Sequence, residues 1–228
     1  MDKVTIYFLN WNVLLNKYAK IIIGGKLLIK QIKSKKRVST YGEVYTAQRE
    51  VNAMLDLVNK EASKITTTFL EPACGNGNFL VAILKRKLET VNNQNTNIFK
   101  TSINILRAVA SIYGVDIQKD NVEETSARIR DLANSFYMDL RCPTGSYYES
   151  WMRILELILE TNILCGNTLT ATLSDGKDMK FSEWIIFDNG VVVRDEVKFQ
   201  DMLDGTDDDV MKHSKYHYNV YDFTYRTA

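Results

Sequence analysis

The densest chemical signal in the chain lies between two apolar runs, in Glu71-Pro72-Ala73-Cys74-Gly75-Asn76-Gly77-Asn78-Phe79. Closely spaced glycines let backbone approach a bound molecule, and a helix starting just after them offers unpaired N–H groups. A dinucleotide fingerprint would read Gly-x-Gly-x-x-Gly, and a phosphate loop would end in Gly-Lys-Ser/Thr; this segment has neither. Glu71 stands at the tip of the preceding apolar run, where a carboxylate favours a cationic or hydrogen-bond-donating ligand over a pyrophosphate. Without a ligand, the same residues read as a tight strand–helix turn. A second acid, Asp116, ends the run Ser111-Ile112-Tyr113-Gly114-Val115. A carboxylate at the tip of a second parallel strand can accept both hydroxyls of a ribose, or else cap the helix that follows. His213 and His217 stand four apart beside Asp207–Asp209, but their Tyr-rich, strand-like surroundings and the lack of a further ligand argue against a metal site. Trp184, Tyr216, Tyr218 and Tyr221 suit base stacking, although core or interface packing is the commoner role for such residues.

Apolar periodicity supplies the elements that must hold these groups. Thr66–Leu70 reads as a strand, and Leu80, Leu84 and Leu88 recur at helical spacing after the glycines. Upstream, Thr46 is expected to cap a helix with Val51, Met54, Leu55 and Val58 on its inner face. Beyond a polar break at 90–98, a helix with Ile103, Leu106 and Ala110 inward leads to the strand that ends in Asp116. Asp120 and Glu123 form a capping-box pattern for the next helix, whose inward residues are Val122, Ile129, Leu132, Ala133, Phe136 and Leu140. A break at 141–145, a helix through Trp151, Ile154, Leu155 and Ile158, and a third strand within Thr161–Leu169 complete this alternation. Strands alternating with helices predict an α/β fold with a parallel sheet. Phe181–Val193 alternates and turns through Asp188-Asn189-Gly190, a hairpin signal. The aspartates of 201–209 predict a mobile acidic loop, and Tyr216–Phe223 either a last strand or a disordered or partner-docking tail.

Glu71-Pro72-Ala73-Cys74-Gly75-Asn76-Gly77-Asn78-Phe79-Leu80 resembles the S-adenosylmethionine-binding motif of adenine-N6 DNA methyltransferases, and Tyr45-Thr46 resembles their upstream aromatic–Thr–Pro segment, with Ala47 in place of proline. The order of the two segments is that of the γ group and of type I modification subunits. The resemblance covers about residues 41–169 and implies a class I, Rossmann-like methyltransferase fold, truncated after the third strand and followed by a C-terminal β-hairpin. It implies a cofactor site made of Tyr45, Thr46, Glu71, Pro72, Ala73, Gly75, Gly77, Phe79, Asp116, Ile117 and Asn167. In it Asp116 binds ribose, Ile117 packs on adenine, and Asn167, usually Asp in the family, accepts from the adenine amino group. It further implies a role in restriction–modification, with DNA reached directly or through a partner subunit, and either self-association or a methyltransferase partner. Other expectations stay open: a cofactor-binding scaffold or sensor without transferase activity, or methylation of RNA or protein. The family's Asn/Asp-Pro-Pro-aromatic acceptor loop is absent, because the only prolines are Pro72 and Pro143. No catalytic residue is therefore assigned. In the family the strand bearing that loop lies beside the first strand, so this edge is expected to be covered by the hairpin or by another subunit.

The remaining properties bound the setting. A net charge of +1, with 45% hydrophobic and 25% charged residues, fits an ordinary globular protein and confines any nucleic-acid site to a local patch. The basic stretch Lys26–Arg37 is either a phosphate-contacting arm or a solvated extension. Cys74, Cys142 and Cys165 lack metal spacing and an even count, which suggests a reduced, cytoplasmic compartment. Ile21-Ile22-Ile23 is cut by Gly24-Gly25 and Lys26, so no membrane span is expected, and no cleavage-site pattern follows the first apolar run. The chain divides into an extension at 1–37, a cofactor-binding domain at 38–170, and a hairpin, acidic loop and tail at 171–228.

Overall fold

Strands β2 (Thr68–Glu71) and β3 (Ile112–Asp116) are buried at every position, as parallel strands covered on both faces must be. They belong to a computed structural model that describes residues 6–8, 33–41, 43–94, 96–199, 216–221 and 226–227. Before them come β1 (Ile6–Phe8), α1 (Lys35–Tyr41), α2 (Gln48–Asp56) and α3 (Asn59–Ser63). Two helices, α4 (Asn78–Asn93) and α5 (Ile98–Ala110), join β2 to β3, and α6 (Lys119–Asp139) and α7 (Ser146–Asn162) join β3 to β4 (Ile163–Asn167). A short β5 (Thr172–Leu173) precedes β6 (Lys180–Ile186), β7 (Val191–Lys198), β8 (Tyr216–Asn219) and β9 (Arg226–Thr227). The fold is mixed α/β. Strands β1 to β4 run parallel in the order β1-β2-β3-β4, and β5 adds an antiparallel edge. This arrangement is compatible with a Rossmann-like sheet.

The two faces of the parallel sheet are covered differently. On one, Phe69 packs with Val51, Leu55, Phe79 and Ile83 of the helices around it. On the other, Leu70, Tyr113 and Val115 meet Met179, Phe181 and Phe199, so the antiparallel sheet β6-β7-β8-β9 serves as the covering layer. The Tyr113 hydroxyl fixes the contact by donating to the Ser182 carbonyl at 2.7 Å. At its turn, the hairpin is tied to α5: Asp188 pairs with Lys100 at 2.9 Å and Arg107 at 2.8 Å, and Arg107 also donates to the Ile186 carbonyl. The hairpin thus covers a face, and the edge beside β2 belongs to β1, whose Tyr7 and Phe8 are in register with Phe69 and Leu70. This corrects the expectation that the hairpin or another subunit would cover that edge. Among the described residues no parallel strand follows β4, and β1 extends the sheet on its other side. The alternating pattern of 181–193 marked one buried face but not the surface it would meet.

Two helix starts differ from the sequence reading. Ala47, not Thr46, is the N-cap of α2, and no side chain caps it. Gln118 is the N-cap of α6, because Asp120 is drawn into ion pairs with Lys33 and Arg37 instead. Asn97 at the end of the expected polar break does cap α5, accepting from the Lys100 N–H at 2.9 Å. The acidic loop at 201–209, His213, Lys26 and Lys30 lie outside the described residues. Among the described residues no helix is long and apolar enough to cross a membrane.

Candidate functional site

The glycine turn leaves the carboxyl end of β2 with Gly75 at φ +52° and Gly77 at φ +82°. At Gly77 this left-handed conformation is the N-cap of α4, and its N–H closes the turn on the Cys74 carbonyl at 2.8 Å. Cys74 continues the ladder to β3 by donating its N–H to the Val115 carbonyl at 2.8 Å. Its thiol is buried, and burial with nearby Asp116 and Glu71 pushes its pKa far above the usual range, which disfavours the thiolate. Glu71 is buried beneath the turn and accepts from the Ala73 N–H. From the β4 side, the Thr168 hydroxyl donates to the Pro72 carbonyl at 3.3 Å.

Helix α6 pins the turn from above. Asn121, Thr125 and Arg128 recur at helical spacing on one side of it. Thr125 donates its hydroxyl to the Gly75 carbonyl at 3.0 Å, and Arg128 donates to the Asn76 carbonyl and, at 2.9 Å, to Asn78 Oδ1. Asn121 Nδ2 donates to Asp116 Oδ1 at 3.1 Å. Asp116 also accepts from the Gln118 N–H on Oδ1 and from the Gly75 N–H on Oδ2, both at 2.8 Å. The carboxylate at the tip of β3 therefore holds the glycine turn and the start of α6 together.

The segment before α2 covers the turn. The Tyr45 ring sits so close that a side chain on Gly75 would come within 3.2 Å of it. The Tyr45 hydroxyl bonds to Glu43 Oε1 at 2.6 Å and Asn121 Oδ1 at 2.9 Å, while Asn78 Nδ2 donates to the Thr46 carbonyl at 2.9 Å. Burial, with Glu43 adjacent, pushes the Tyr45 phenol well above its ordinary pKa. Arg37 spans Glu43 and Asp120, each at 2.6 Å, and Lys33 reaches Asp120, Glu124 and Asn121. Hydrogen bonding to Arg37, and then to Lys33, holds the Asp120 carboxyl down at about 2. These two cations of the basic stretch are thus committed to acids of this chain, while Lys35 and Lys36 stay exposed.

Tyr45, Thr46, Glu71, Ala73, Gly75 and Phe79 line one cavity of about 60 Å³. Pro72, Gly77, Asp116, Ile117 and Asn167 lie outside its lining. Ile117 is 57% exposed beside Asp116, and Asn167 Oδ1 accepts from the Leu169 N–H at 2.9 Å, closing its own turn. A larger surface depression on α7, about 480 Å³ and lined by Met152, Arg153 and Glu156, contains none of these groups. Three of the aromatic residues named for base stacking are engaged elsewhere, since Trp184 Nε1 donates to Asn162 Oδ1, Arg194 lies over the Trp184 and Tyr216 rings, and Tyr218 is buried; Tyr221 packs on Phe99 and Tyr147 but stays 42% exposed. Among the described residues no cluster of His, Cys, Asp and Glu could hold a metal ion. Asn121, Thr125, Arg128 and Glu43 escaped the sequence reading, although the spacing of the first three along α6 was a usable signal. No protein-family model, curated protein or solved structure matches the chain.

Proposed function

We propose that this chain binds S-adenosylmethionine at the glycine turn and belongs to a DNA adenine-N6 methylation system as a subunit or divergent member. The observation that carries this reading is the junction of the Glu71–Phe79 turn with Asp116. Two adjacent parallel strands end in a close-approach glycine turn and a carboxylate, joined by the 2.8 Å bond from Gly75 N to Asp116. The residues suit the cofactor's nucleoside end: Asp116 Oδ2 keeps acceptor capacity, and exposed Ile117 offers an apolar surface to a purine. At the other end the fit requires movement. Ligand pockets run to roughly 300 Å³ and more, so the Tyr45 segment must swing off Gly75 before the amino-acid portion enters. When bound, the cofactor supplies an electrophilic methyl group. The chain's own residues bind and orient it.

Calorimetric titration with S-adenosylhomocysteine, the demethylated product, tests the binding. A saturable one-site isotherm is expected, weakened about tenfold or more in Asp116→Ala through loss of a charge-assisted hydrogen bond. No heat in the wild type, or equal affinities in both proteins, would overturn the assignment.

Methyl transfer is a separate matter. The exocyclic adenine nitrogen is a poor nucleophile that must be held in line with the methyl group while oxygens accept its developing charge. The loop that does this in the family is missing from this sequence, and β1 occupies the neighbouring edge. The purified chain is therefore expected to form no N6-methyladenine above background from labelled cofactor and unmethylated DNA. Transfer is expected to need a partner that brings an Asn/Asp-Pro-Pro-aromatic loop. Robust methylation by the chain alone, lost in Asp116→Ala, would contradict this.

A further inference from the structure

Asp116, at the tip of β3, accepts hydrogen bonds from three protein donors. An ionised carboxylate has about four acceptor positions, two on each oxygen. Oδ1 accepts from the Gln118 N–H at 2.8 Å and from Asn121 Nδ2 at 3.1 Å, which fills it. Oδ2 accepts from the Gly75 N–H alone among the described residues, so one position remains. Asn121 is 1% exposed and cannot turn away freely, because its own Oδ1 accepts from Lys33 Nζ at 2.9 Å and lies 2.9 Å from the Tyr45 hydroxyl, whose single proton it shares with Glu43.

Building on the cofactor reading above, we infer that Asp116 receives one ribose hydroxyl, on Oδ2, and that Asn121 is the positioning residue that sets this limit. The other hydroxyl is left to solvent. The site therefore distinguishes nucleosides lacking one hydroxyl from those lacking the other, a selectivity that a carboxylate gripping both hydroxyls would not have.

The test compares S-adenosylhomocysteine with its 2′-deoxy and 3′-deoxy analogues by calorimetry on the intact chain. One analogue should bind about tenfold or more weakly, the other within about threefold of the parent, since only one hydroxyl meets the charged acceptor. In Asn121→Ser the shorter side chain no longer reaches Oδ1, and the previously tolerated analogue should now weaken relative to the parent. A merely structural role for Asn121 would weaken all three ligands by one factor and leave their ratios unchanged. If Asn121→Ser does not fold, Asn121→Ala and the wild-type ratios still decide the matter. Equal losses for the two analogues in the wild type, or no loss for either, would overturn the inference while the cofactor reading stands. Failure of the parent compound to bind would overturn both.

Discussion

Gly77→Val is expected to abolish S-adenosylhomocysteine binding and to lower the unfolding free energy by about 3 kcal/mol, from the strain of a left-handed β-branched residue together with overpacking. Gly77 sits at φ +82°, and its added side chain would come within 2.8 Å of Thr125 Cγ2 and 2.9 Å of its hydroxyl. That hydroxyl holds the Gly75 carbonyl, so the clash reaches the turn itself. Gly176 separates strain from collision, having φ +84° but nothing within 4 Å of its built Cβ. Gly176→Ala should cost only about 1 kcal/mol and leave binding intact. Urea unfolding and calorimetry on both variants provide the check. A Gly77→Val protein that still binds would mean that the ligand does not approach this turn.

Lys87 should make stability depend on pH across the neutral range. It lies on α4, is wholly buried, and donates to the Ile65 carbonyl at 3.1 Å, the Thr67 carbonyl and Ser111 Oγ at 2.6 Å. Burial pushes its pKa down to about 7, against the ammonium-friendly set of three oxygens. Between that value and the unfolded value near 10.5 the unfolded chain binds more protons, so stability rises with pH through this window and falls as pH drops through the folded pKa. Relative to Lys87→Met, the wild type should gain about 2.5 kcal/mol in unfolding free energy from pH 6 to pH 9. A difference that stays constant with pH would show that the amine remains charged throughout, held by its three oxygens.

The sequence and the fold agree where burial leaves a continuous or periodic mark. β2, β3 and β4 were legible as apolar runs, and Trp151, Ile154, Leu155 and Ile158 mark the buried face of α7. β1 was not legible as a neighbour of β2, because a three-residue strand leaves little pattern and its partner lies about sixty residues on. The glycine spacing and the two strand-end acids mark the carboxyl ends of β2 and β3, but not the bond that joins the turn to Asp116. The polar contacts that brace this junction leave no mark in the helical periodicity, which is carried by apolar residues. Of the expected inner face of α6, Ile129 and Ala133 are fully buried and Val122, Leu132, Phe136 and Leu140 only partly so, while polar Asn121 and Thr125 are buried against the site. Thr46 looked like a cap by residue type, but its carbonyl is used by Asn78 and the cap position falls on Ala47. Local preference yields where tertiary contacts compete for the same group.

The central claim, a cofactor site where the glycine turn meets Asp116, is tested most directly by amide NMR of the labelled chain titrated with S-adenosylhomocysteine. The account predicts that the amides of Gly75, Gly77, Asp116 and Ile117 shift together along one binding curve, with Tyr45 and Thr46 following as their segment leaves Gly75. Amides of the hairpin turn at Asn189 and Gly190, tied to α5 through Asp188, should stay in place. Saturable shifts confined to other residues, or no shifts at millimolar ligand, would contradict it.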